Sequence, residues 1–253
     1  MPLIVYCHGN GGYVRCTKDG SGETDWTKLP AGEANKRLFV DSLVGAGFAV
    51  AASDAYGMHA WGNPQSVGAT AALLSCVLEG ANVDATRVGL WGGGAGGAVA
   101  WSSALGPLMG KVRAVAMQQS CLSYESVIRH GKFKDVLLEG GYGMPADTPD
   151  DNAVEALKHN DPLYRTSLLI AELGDAAAAA ALPPAFFLHG DADENILFDE
   201  NPVALGKVLE SCGAAHTFHT PAGVGHNVYG LPHARLLTVD IPSPLSYLLS
   251  AAP

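Results

Sequence analysis

The sequence predicts an α/β fold, a mostly parallel sheet of about six strands with helices on both faces. Three observations carry that expectation. Short apolar runs alternate with helical patterns from one end of the chain to the other, as strand–helix–strand units do. Only 16% of the residues are charged and 31 are glycine, which suits a large buried sheet joined by tight turns. The length of 253 residues fills one such domain and leaves little room for a second. With no internal repeat and no linker, residues 1–253 are read as a single domain.

The elements follow in order. Leu3 to Cys7 is a short apolar run, and a glycine-rich loop runs from Gly9 to Gly32. Glu33 to Ala46 reads as an amphipathic helix closed by Gly47, and Phe48 to Ser53 as a second strand. Asn63-Pro64 pairs a capping residue with proline at the first helical position, predicting a helix to about Glu79. Arg87 to Trp91 is a third strand, leading through glycines into a helix from Ala95 to Leu108, and Val112 to Met117 is a fourth. Helical patterns without a clear strand occupy residues 121–182, at Ser123–His130, Asp151–His159 and Ser167–Ala181, with a loop at Gly140–Asp150. Ala185 to His189 and Ala215 to Thr220 are the last two strands, separated by a helix at Pro202–Ser211, and Pro244 to Ser250 reads as a closing helix.

Net charge is −10 and the isoelectric point about 5.2. No basic block interrupts this balance, which argues against a nucleic-acid groove. No run reaches the roughly 18–20 apolar residues of a membrane span; the nearest, Ala176 to Leu188, is broken by Pro183-Pro184. No basic and apolar leader pattern opens the chain, so a cytoplasmic location is expected, although a mature secreted chain would read the same. The five cysteines (Cys7, Cys16, Cys76, Cys121, Cys212) match no metal motif and are read as mostly buried thiols. The odd number leaves room for one bridge, for example Cys7 to Cys16. No metal or cofactor is expected.

The most informative string is Val88-Gly89-Leu90-Trp91-Gly92-Gly93-Gly94-Ala95-Gly96-Gly97, which follows a strand and opens a helix. Gly92, Gly94 and Gly97 satisfy the dinucleotide fingerprint G-x-G-x-x-G, but the next strand ends Met117-Gln118-Gln119-Ser120 without the carboxylate that motif wants for a ribose. The nucleophile elbow G-x-S-x-G fits better, with Gly94 where serine should stand.

The remaining motifs agree with the elbow. Pro2 to Gly12 reads as a strand followed by a His8-Gly9-Asn10-Gly11 loop. Pro183 to Ile196 reads as a strand followed by His189-Gly190-Asp191-Ala192-Asp193. Gly223 to Asn227 carries His226 on a glycine-rich loop after the last strand. On these motifs, from Pro2 to about Val228, the chain resembles the α/β-hydrolase superfamily. It looks most like the dienelactone-hydrolase and prolyl-oligopeptidase-like branch, which Asn160 to Tyr164 (N-D-P-L-Y) resembles.

The resemblance implies a serine esterase acting on a small-molecule carboxylic ester or lactone through an acyl-enzyme. His226 would be the base and acid, and Asp193 its orienter, with Asp191 as runner-up. The Asn10 and Ala95 backbone N–H groups would be the oxyanion donors. His8 would hold its loop. His216 and His219 lie three apart on one strand and face opposite sides, which favours ordinary strand roles over metal binding. Candidate substrate contacts are Trp61, Tyr56 and Gly11, with Tyr13, Trp26 and Tyr142 as further aromatic walls, and residues 121–182 a partial helical lid. The oxyanion strand begins at Leu3, so the two strands that usually precede it in this fold are absent or were left out of this chain.

Glycine at 94 carries no nucleophile. Three readings account for it: an inactivated variant that holds its ligand, a natural pseudo-hydrolase that binds a small ligand without turnover, and direct activation of water by His226. The intact remainder of the machinery favours the first. A dinucleotide-binding protein is the weaker alternative.

Overall fold

The computed structural model describes residues 1–10, 41, 43–55, 57, 59–130 and 132–226. The helix expected at Glu33–Ala46 lies mostly outside these residues, and that at Pro244–Ser250 entirely so. Six strands form one sheet: β1 (Leu3–Cys7), β2 (Ala49–Ala52), β3 (Val88–Gly93), β4 (Ala114–Gln118), β5 (Ala185–Leu188) and β6 (His216–His219). Their order is β2-β1-β3-β4-β5-β6, and every adjacent pair is parallel. The four inner strands are buried along their whole length, which is why they read as continuous apolar runs and not as alternating ones. Alternate side chains feed two cores. Val5, Leu90, Val115 and Phe187 pack on one face with Trp101 and Leu205; Ile4, Trp91, Ala116 and Phe186 pack on the other.

This order places the site. From β1 the chain goes outward to β2, then crosses back to β3 on the opposite side of β1. The loops leaving β1 and β3 therefore diverge, opening a crevice at the carboxyl ends of these strands. The residues after β1 (His8 to Asn10) and after β3 (Gly94) lie at that switch point.

The helices begin where local chemistry starts them. Helix α1 (Pro64–Gly80) is capped by Asn63, whose side chain accepts the Ser66 N–H at 2.8 Å, with Pro64 at the first position. Helix α2 (Ala95–Ala104) is buried on every side, and apart from Trp101 its side chains are small and uncharged. It stops short of the expected Leu108, and β3 runs two residues past the expected Trp91.

Residues 121–182 contain α3 (Tyr124–His130), a π-helical turn at Val136–Gly141, α4 (Asp150–Leu157), α5 (Pro162–Leu173) and α6 (Asp175–Ala181); α7 (Pro202–Cys212) precedes β6. The single helix expected over Ser167–Ala181 is two helices. Gly174, at φ +77°, turns the chain between them, and Asp161-Pro162 starts the first one five residues earlier than the pattern suggests. The loop expected at Gly140 likewise opens inside the π-helical turn.

Asp161 explains the N-D-P-L-Y string. Its buried carboxylate accepts the Leu163 and Tyr164 N–H groups as the cap of α5 (2.8 and 3.1 Å), and that of Tyr124 at 2.5 Å at the start of α3. Helix α5 packs on the core through a Trp101 Nε1–H to Thr166 Oγ1 bond of 2.9 Å. By contrast, α3 and the π-helical turn pack against Trp61, Ala95 and Ile196 beside the crevice.

Candidate active site

Gly94 stands alone between β3 and α2, at φ 55° and ψ −122°. Its N–H donates to Gln118 O (2.9 Å), and its carbonyl accepts from Gly97 N (3.1 Å) and Cys121 N (3.0 Å). The glycines around it are needed for packing. A Cβ at Gly92 would overlap the Gly96 carbonyl, one at Gly96 the Cys7 and His8 carbonyls, and one at Gly97 the Ser120 side chain. Close approach of α2 to β1, β3 and β4 thus accounts for these three glycines without any phosphate. Gly94 differs. The nearest heavy atom to a Cβ built there is Gly9 Cα, 3.9 Å away. A side chain has room; only the backbone conformation favours glycine.

The β1 loop meets the elbow from the other side of the switch point. A Cβ on Gly9 would come within 3.0 Å of Gly93 O. His8 is buried and its Nδ1 lies 2.9 Å from Gly9 O; a carbonyl only accepts, so Nδ1–H donates and braces the loop. Asn10 places its Oδ1 2.8 Å from His59 Nδ1, tying the β1 loop to the loop after β2. Gly11, Tyr13, Trp26 and Tyr56 lie outside the described residues.

Trp61 is only 1% exposed. It packs beneath the site, with its ring 6.3 Å from that of Phe133, and Phe133 in turn lies 6.3 Å from the ring of His226. It is enclosed by neighbouring side chains and exposes almost none of its own surface. Tyr142 donates to Tyr124 OH at 3.2 Å, and Tyr124 OH donates to the Trp61 carbonyl. Beside this cluster runs a cleft of about 590 Å³ bounded by His59, Asn63, Glu139, Tyr142 and Asn160.

Asp193 and His226 meet directly. His226 Nδ1 is 2.8 Å from Asp193 Oδ2. The Asp193 side chain is fully buried, while that of His226 is one-third exposed. The other carboxylate oxygen accepts the Asn195 and Ile196 N–H groups at 2.8 and 3.0 Å. Burial pushes the Asp193 carboxyl up, but the bonds from His189, His226 and the Ile196 N–H outweigh this and hold it far below the usual carboxylate range. Asp193 is therefore an anion, and an anion only accepts, so Nδ1 of His226 carries hydrogen and Nε2 is left as the basic nitrogen. Asp191 instead accepts the Gly223 N–H at 2.6 Å and braces the histidine loop.

The motifs assign no role to three further side chains. His189 Nε2 lies 3.0 Å from the same Asp193 Oδ2. Gln119, at φ 45°, donates from Nε2 to the carbonyl of Gly225, the residue before His226, at 3.2 Å. Its neighbour Gln118 accepts the Gly94 N–H, so the Gln118-Gln119 pair joins elbow to histidine loop. His59 braces Asn10. Only His189 left a sequence signal, a histidine four residues before the acid.

Among the described residues, the two buried cysteines near Gly94 are poor nucleophiles. Burial pushes the Cys7 thiol up to about 12, partly offset by Thr70, and holds that of Cys121 well above its ordinary value. Cys7 is a free thiol, and Cys16, considered as its partner, lies outside the described residues. His216 serves the strand: its Nδ1 bonds the Ala214 carbonyl and its ring packs edge-on to Phe218. Among the described residues no helix is long and apolar enough to cross a membrane.

No family model matches this chain, and no curated protein does. Solved structures match closely in shape. A puromycin-hydrolyzing peptidase from Mycobacterium tuberculosis superposes with a TM-score of 0.71 at 16% identity, over 99% of this chain and 34% of that one. A truncated carbohydrate esterase from gut microbiota superposes with a TM-score of 0.64 at 15% identity, covering 99% and 85%. An S-formylglutathione hydrolase from Agrobacterium tumefaciens gives 0.62 at 14% identity, covering 99% and 83%. The chain spans 34% and 39% of the two peptidases it matches first, the second being an acylaminoacyl peptidase from Pyrococcus horikoshii. The fold is the α/β-hydrolase fold, as the sequence motifs imply.

Proposed function

We propose that this chain is a serine-hydrolase scaffold for a carboxylic ester or lactone, with Gly94 at the nucleophile position. Asp193 and His226 are the orienter and the acid–base group, and Asn10 and Ala95 supply the oxyanion N–H groups. One observation carries the reading above the others. Gly94 has the strained strand-to-helix conformation of a nucleophile elbow, in a place where its own packing does not require glycine, unlike Gly92, Gly96 and Gly97. The Asp193–His226 pair adds the proton-transfer half of the chemistry, with Nε2 of His226 free to take a hydroxyl proton and return it to the leaving group. Without a hydroxyl at position 94 no acyl-enzyme forms, so the chain as it stands binds its ester without turning it over.

The test is Gly94→Ser assayed on short p-nitrophenyl esters. The expected result is ester hydrolysis with burst kinetics, abolished by adding His226→Ala. No gain over the parent would overturn the reading and favour a ligand-binding protein on this fold.

A further inference from the structure

The carboxylate of Asp193 serves two histidines, and only one of them belongs to the proposed proton-transfer pair. His189 leaves β5 and is 1% exposed. Its Nε2 lies 3.0 Å from Asp193 Oδ2 and 2.9 Å from Ile196 O. Both partners only accept, so Nε2 carries its hydrogen, which bonds Ile196 O and lies close to Asp193 Oδ2. Ile196 closes a ring: its N–H donates to Asp193 Oδ1 while its carbonyl takes the His189 hydrogen. With Asn195 N–H and His226 Nδ1–H added, each carboxylate oxygen faces two N–H groups.

The two histidines are held very differently. His189 continues the β5–β6 ladder through its own N–H to His219 O (3.2 Å), and its ring lies 5.9 Å from that of Phe198. His226 sits one-third exposed on a loop. Orientation therefore passes from the sheet to the loop. We propose that His189 is a positioning residue that pins Asp193 Oδ2 toward His226, so that the imidazole is aimed by β5 as well as by its own loop. This rests on the reading of Asp193 and His226 as the orienter and base. A turn-stabilising role alone would need only the Ile196 contact and would leave the aim of Oδ2 unaffected.

Two measurements separate these. In the chain as it stands, the low-field proton resonance of His226 Nδ1–H reports its bond to Asp193. His189→Gln places an amide N–H near the Nε2 position and should keep that resonance. His189→Phe, and His189→Asn, whose amide is too short to reach, should lose it to exchange with water. In a Gly94→Ser background, His189→Phe and His189→Asn should lower kcat about 10-fold or more with KM within about twofold, as misaimed catalytic groups do; His189→Gln should recover most of the loss. A folded His189→Phe or His189→Asn that keeps both the resonance and kcat overturns the proposal. If Gly94→Ser is inactive while the resonance behaves as expected, the hydrolase reading fails and the positioning role stands.

Discussion

Glycine has two different meanings within six residues of this chain. At Gly96 the missing Cβ is a packing requirement, because the Cys7 and His8 carbonyls occupy its place. Gly96→Ala should therefore push α2 off β1 and cost several kcal/mol, at or beyond the upper end for single substitutions. At Gly94 the space is open and only φ 55° resists a side chain, so Gly94→Ala should cost about 1–2 kcal/mol, read as a lower urea midpoint with an unchanged slope. Comparable losses at the two positions would contradict the distinction on which the nucleophile assignment rests. The sequence reading recognises the elbow because close helix–strand contact forces a run of glycines. It reads Gly94 as a replacement only through the surrounding motif, since glycines of both kinds look alike in one dimension. His189 stands in the motif four residues before the acid, but that spacing does not say that the two share a carboxylate oxygen with His226.

The elements were largely legible, and the exceptions have local causes. The inner strands read clearly because burial on both faces makes them continuous apolar runs, and α1 because Asn63-Pro64 marks its start. The break in the long alanine-rich helix was missed because Gly174 lies within a strongly helical composition that outweighs one glycine. The connection between the elbow and the histidine loop was also invisible, since Gln119 and Gly225 are 106 residues apart in sequence. That connection gives a prediction at this scale. Gln119 is a non-glycine residue at φ 45°, a conformation retained at some energetic cost. Gln119→Gly should relieve the backbone yet release the histidine loop. Amide exchange should then quicken at Gly225 and His226 while global stability changes by less than about 1 kcal/mol. Unchanged exchange in the loop would show that Gln119 does not hold it. Asp161 has the opposite balance. It ties the start of α3 to the start of α5, and Asp161→Ala removes the cap of α5 and leaves the buried Tyr124 N–H without its acceptor, which should cost about 1–3 kcal/mol in urea unfolding.

On the scale of the whole molecule, the same two buried aspartates give acid stability a shape that net charge alone would not. At neutral pH the chain carries a formal charge of −10, so mild acidification toward its isoelectric point relieves self-repulsion. Asp161 adds to this trend. Burial, only partly offset by its backbone hydrogen bonds, raises its folded pKa above the unfolded value. Its contribution therefore opposes folding once pH has risen through that folded value, and the opposition fades as pH falls back toward the unfolded one. Asp193 works the other way. Its folded pKa lies far below the unfolded value of about 3.9. The stability it contributes is complete above about pH 4 and is lost as pH falls from there through the folded value. Stability should thus hold or rise from neutral pH to about pH 5 and collapse below pH 4. Asp193→Asn isolates the second limb. It should lower the urea midpoint at pH 7, because an amide cannot accept from two histidines and two N–H groups together. It should also flatten the decline between about pH 4 and pH 2, because the titrating group is gone. A variant whose midpoint still falls as steeply as the parent's over that window would show that the acid limb belongs to other carboxylates and that Asp193 is not the anion on which His226 depends.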